Sequence, residues 1–89
     1  MGIVMKVWMC YSHLIDWLKK DDEPVWSVHK KKEDAVKAFE AGLDAFYERF
    51  GKLKPESYTF YHVDMEDGMV VLKTDEFWFA IWYEEVPVL

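Results

Sequence analysis

The apolar and polar positions fall into successive patterned stretches. Ile3 to Tyr11 alternates with period two: Ile3, Met5, Val7, Met9 and Tyr11 on one side, Val4, Lys6, Trp8 and Cys10 on the other. The first side is wholly apolar, which assigns it to the core. Ser12 then suits a helix N-cap, with Leu14, Ile15, Trp17 and Leu18 on one side of a short helix. The same residues also fit a continuing strand, and periodicity leaves both readings open for residues 12–20. Lys19 to Pro24 is a polar break, and Val25 to Lys30 reads as a short strand.

Val36, Phe39, Leu43, Phe46 or Tyr47, and Phe50 recur at three- and four-residue spacing, one apolar stripe of a helix from about Glu33 to Phe50. Glu33 and Asp34 favour its N-terminus; Arg49 and Gly51 mark its end. Gly42 is unfavourable inside a helix, which points to close packing there. Tyr58 to Met65 alternates again, Asp67-Gly68 predicts a two-residue hairpin turn into Met69 to Lys73, and Thr74-Asp75-Glu76 turns the chain once more. Phe77 to Tyr83 does not alternate: Phe77, Phe79, Ile81 and Tyr83 point one way, Trp78, Ala80 and Trp82 the other, and Pro87 limits the strand. The fold class is α+β in the order ββαβββ. One main helix lies on a largely antiparallel five-stranded sheet that ends in a three-stranded meander.

One helix is about 10–12 Å across, whereas five strands span about 24 Å. One sheet face therefore has no cover, and Trp8, Trp78 and Trp82 are its candidate interface residues. The expected occupant is a second copy, giving a homodimer around the Phe77–Tyr83 strand, or a target protein.

The 89 residues form a single domain, 1–89, and 16 aromatic side chains can build its core without disulfide or metal. The one cysteine, Cys10, cannot form an intrachain bridge. With no apolar run long enough to span a bilayer and no signal-like N-terminus, the expected location is cytoplasmic, away from membranes.

Charge changes the picture of partners. Net charge is −6, yet residues 1–55 hold ten basic and nine acidic side chains. Residues 56–89 hold Lys73 alone against Glu56, Asp64, Glu66, Asp67, Asp75, Glu76, Glu84 and Glu85. Such acidity disfavours direct nucleic-acid binding and favours a protein partner with a basic surface. Solubility of an aromatic-rich domain is the plainer use of the same charge.

No motif announces catalysis or a cofactor. Cys10 and His13 form a C-x-x-H spacing, but their opposite strand parity sets them on opposite faces, and zinc needs further ligands. Cys10 with His62 would make a nucleophile pair only if the first and third strands were neighbours. The acidic pairs sit in turns without calcium-loop spacing, and the four glycines are scattered.

The short strands, the Glu33-Asp34-Ala35 helix start and the acidic aromatic meander resemble small phage and mobile-element proteins of the anti-CRISPR and anti-defence type. The resemblance is one of size and style, and implies an inhibitor that covers a basic nucleic-acid channel in a host effector. The expected function is then a non-enzymatic inhibitor. Asp64, Glu66, Asp67, Asp75, Glu76, Glu84 and Glu85 would dock on the basic partner, with Trp78 and Trp82 as anchors. The alternative is a small homo-oligomeric accessory protein whose aromatic faces pack together while the acids only solubilise.

Overall fold

The structure, a computed structural model, describes residues 5–88. Ile3 and Val4 of the first expected strand, and the terminal Leu89, lie outside them. The elements are β1 (Met5–Asp16), β2 (Asp21–His29), α1 (Lys32–Phe50), a single 3₁₀ turn (Pro55–Ser57), β3 (Phe60–Asp64), β4 (Met69–Lys73) and β5 (Phe77–Val88). All five strands form one antiparallel sheet in the order β2-β1-β5-β4-β3. The expected ββαβββ order and C-terminal meander are what the chain adopts.

Residues 12–16 continue β1, and the turn 17–20 leads straight into β2, so the helical reading of this segment does not hold. Pairing decides it: every residue from Met5 to Asp16 faces a partner on β5, a gain that a four-residue apolar stripe cannot match. Asp16 fixes the turn, its Oδ1 accepting the backbone N–H groups of Leu18 and Lys19 at 3.1 Å each. β2 starts four residues earlier than Val25 and holds Pro24 within it. That is tolerated because β2 is an edge strand, where a missing N–H can face solvent. Pro87 likewise lies inside β5, beyond the last residue that β4 pairs.

The hairpin between β3 and β4 also differs. Asp64 pairs with Met69, so the connection is the four residues 65–68 and not a two-residue Asp67-Gly68 turn. The Asp64 side chain accepts the Asp67 N–H at 2.9 Å, and Gly68 takes a positive φ of 72°. A Cβ at Gly68 would also strike the Tyr83 ring, so two constraints select glycine there.

α1 packs on one face only. Ala35, Phe39, Leu43 and Phe46 are its buried residues, a stripe that enters the core at Ala35 while Val36 stays half-buried. They meet Cys10 and Leu14 of β1, Val70 and Leu72 of β4, and Phe77, Phe79 and Ile81 of β5. Phe46 stacks on Phe79 with ring centroids 4.1 Å apart. At Gly42 a Cβ would lie 2.6 Å from the Ile81 Cδ1, so helix and sheet pack too closely there for a side chain without a shift of Ile81. Gly51 ends the helix at φ 80°, its N–H donating to the Tyr47 carbonyl at 2.7 Å.

The first strand is turned over relative to expectation. The side carrying Met5, Val7, Met9 and Tyr11 faces away from the helix, and the side carrying Cys10 and Leu14 faces it. Both sides of β1 are apolar enough to be core. The helix takes the side that carries Cys10, Ser12 and Leu14, the same side as Ile81 of β5, against which Gly42 packs.

Candidate functional site: the open face of the sheet

Side chains on the uncovered face follow from strand parity and register. One row crosses the sheet as Trp26, Tyr11, Trp82, Met69 and Asp64; the next as Pro24, His13, Ala80, Val71 and His62; a third as Asp22, Ile15, Trp78, Lys73 and Phe60. The rings form a contiguous patch. Tyr11 stacks on Trp26 at 5.6 Å with 14° between planes, and lies 4.5 Å from Trp82. His13 meets Trp78 edge-on at 5.4 Å, and its imidazole contacts the Asp22 carboxylate. Ala80, between the two β5 tryptophans, is only 2 % exposed, whereas Trp26 is 63 % exposed. The strand positions of this face carry four formal charges: Asp22, Asp64 and Lys73, and Glu84 on the central strand β5, opposite Met9 and next to Trp82.

Trp78 and Trp82 therefore sit where the sequence places them, but Trp8 does not. It lies on the helix side, 6.3 Å from Tyr83, with the Lys32 ammonium 5.5 Å from its ring. Tyr11, His13 and Trp26 take its place. Tyr11 escapes sequence reasoning because its side of β1 looks like core. Trp26 carries a usable signal, a large aromatic on a strand whose neighbouring turn is charged.

The seven acids are not one surface. Asp64, Glu66 and Asp67 gather at the β3–β4 turn, and Asp75 and Glu76 at the β4–β5 turn. The five residues of β4 hold these turns roughly 15 Å apart. Glu84 and Glu85 lie farther along β5 on opposite faces, and Glu85 pairs with Lys6 at 3.3 Å. Asp64 acts locally, within its own turn. The Asp67 backbone N–H that it accepts holds its carboxyl below the usual carboxylate range.

A second charged group lies behind the helix. Arg49 reaches Asp16 at 3.1 Å, Glu23 at 3.2 Å and Asp21 at 3.6 Å, tying the end of α1 to the β1–β2 hairpin. Beside it, a groove of about 300 Å³ between α1 and β2 is lined by Leu14, Val25, Ala45, Phe46, Phe50 and Phe79, among others.

Cys10 is buried on the helix side, and burial pushes its thiol pKa up. His13 lies on the opposite face, and β5 and β4 separate β1 from the strand carrying His62. Neither histidine forms the pair with Cys10 that thiolate chemistry needs. Among the described residues no group of three or more His, Cys, Asp or Glu could hold a metal ion, and no helix is long and apolar enough to cross a membrane. Protein-family models, curated proteins and solved structures offer no match to this chain.

Proposed function

We propose that this protein is a non-enzymatic binding domain that docks a basic partner protein on the open face of its sheet, in the manner of a small inhibitor. The observation that carries this reading is the contiguous patch of Tyr11, Trp26, Trp78 and Trp82 with Asp22, Asp64 and Glu84 around it. Aromatic faces attract guanidinium and ammonium groups, and the surrounding carboxylates steer and pair with them. Phosphate backbones fit poorly, because Lys73 is the one cation among the strand positions of this face.

The sequence-based idea of an acidic meander imitating nucleic acid is narrowed accordingly. The turn acids lie at two ends of the sheet, so they act as rim charges that raise the association rate, and the aromatic patch supplies the anchor.

Titration with matched arginine-rich, neutral and acidic peptides and a single-stranded oligonucleotide, followed by tryptophan fluorescence, tests this. The arginine-rich peptide alone is expected to give a saturable change that weakens as salt rises and is lost in Trp26→Ala/Trp82→Ala. Binding of the oligonucleotide, or indifference to every probe, would overturn it.

A further inference from the structure

One group on the open face does not fit a uniformly basic occupant. Lys73 projects from β4 onto this face, opposite Trp78 of β5 and Phe60 of β3. Its ammonium lies 5.9 Å from the centroid of the Trp17 ring. Among the described residues no carboxylate comes within ion-pair distance of it. The acids of the face stand elsewhere. Asp22 ends the same row three strands away, roughly 14 Å from Lys73 across the sheet. Asp64 faces Met69, four residues back along β4. Beside Lys73, a groove of about 430 Å³ is lined by Thr59, Phe60, Val71 and Trp78.

We propose that Lys73 sets the specificity of this face by receiving a carboxylate of the docked segment. A basic group of the same segment meets Asp22, which stays exposed while it contacts His13. An apolar side chain between the two enters the groove between Trp78 and Phe60. The proposal rests on the basic-partner reading and names which basic partners fit. In an extended segment lying across the strands, base and acid would stand about four residues apart.

The charge of Lys73 acts in two directions. A carboxylate placed there gains a partner that the protein itself does not supply. A segment basic along its whole length meets a like charge instead, so the same ammonium rejects it. The remaining charged strand positions of the face, Asp22, Asp64 and Glu84, attract cations and leave this choice to Lys73.

Three peptides titrated at low salt, read by tryptophan fluorescence, test this. The first carries an arginine cluster with a glutamate four residues on. The second has glutamine in place of that glutamate, and the third has the composition of the first with the glutamate moved beside the arginines. Wild type is expected to bind the first roughly threefold more tightly than the other two. Lys73→Ala should reverse the order of the first two, weakening the glutamate peptide and strengthening the glutamine one. Lys73→Arg should keep the wild-type order. The fold should tolerate these changes, because Thr59 bonds only the Lys73 backbone carbonyl, and circular dichroism checks it. The same order in wild type and Lys73→Ala, indifference to where the glutamate stands, or equal weakening of all three peptides would overturn the proposal while leaving the docking reading intact. A wild type that binds none of them would remove that reading, and this proposal with it.

Discussion

The two faces of the sheet are both apolar, yet they are built from different residues. Under α1 lie Leu14, Val70, Leu72, Phe77, Phe79 and Ile81, all of them buried. On the open face lie Tyr11, His13, Trp26, Trp78 and Trp82, with methionine and valine between them. Aliphatic side chains and phenylalanine gain only by leaving water. Tryptophan, tyrosine and histidine combine a large apolar body with a polar group that remains useful at a surface wet part of the time. The open face is thus weighted toward tryptophan, tyrosine and histidine and the covered face toward aliphatic residues and phenylalanine, although Tyr58 lies in the core and Ile15 and Phe60 on the open face.

The contrast is sharpest in what each face loses on truncation. Phe39→Ala, beneath the helix and 1 % exposed, is expected to cost about 3–5 kcal/mol in urea unfolding. A loss under about 1 kcal/mol would mean that α1 does not seal this side. Asp16→Ala removes a carboxylate, 4 % exposed, that serves Arg49 and two turn N–H groups. Its expected cost is about 1–3 kcal/mol, because the freed Arg49 can still reach water and its other acids. Arg49→Lys should recover only part of the difference between Arg49→Ala and wild type, since one ammonium cannot span three carboxylates.

Trp26→Ala, on the open face, is expected to shift unfolding by less than about 1 kcal/mol, because most of that side chain is already in water. The same variant should abolish peptide binding, which separates docking from folding within a single residue. The smallest effect concerns pH. Asp64 has its folded pKa depressed by the Asp67 backbone N–H. Its support of the β3–β4 turn is therefore present above the ordinary carboxylate pKa and fades as pH falls through the depressed value. Amide shifts of residues 65–68 followed on acidification should show this and be flat in Asp64→Asn.

Much of the fold is legible in the sequence because the strongest periodicities coincide with the elements that organise it. The α1 stripe, its Gly51 stop and the meander order follow from spacing and turn residues alone. Gly42 also marks its close contact correctly. What spacing does not contain is which side of a doubly apolar strand the helix selects. β1 offers Met5, Val7, Met9 and Tyr11 on one side and Trp8, Cys10 and Leu14 on the other, and only the packing of Gly42 against β5 resolves the choice. That one inversion moves Tyr11 from core to surface and Trp8 from the open face to the helix side. The acids scatter for a related reason. Neighbours in sequence across two consecutive hairpins arrive at opposite ends of a strand.

The central claim, that the open face is where this protein binds, has five natural reporters in the tryptophan indole N–H groups. Two-dimensional ¹H–¹⁵N spectra, recorded as the arginine-rich peptide is added, resolve them individually. The account predicts shifts at the indoles of Trp26, Trp78 and Trp82, with Trp8 on the helix side unmoved. Shifts confined to Trp8 and the amides of α1, with the three open-face indoles unchanged, would contradict it.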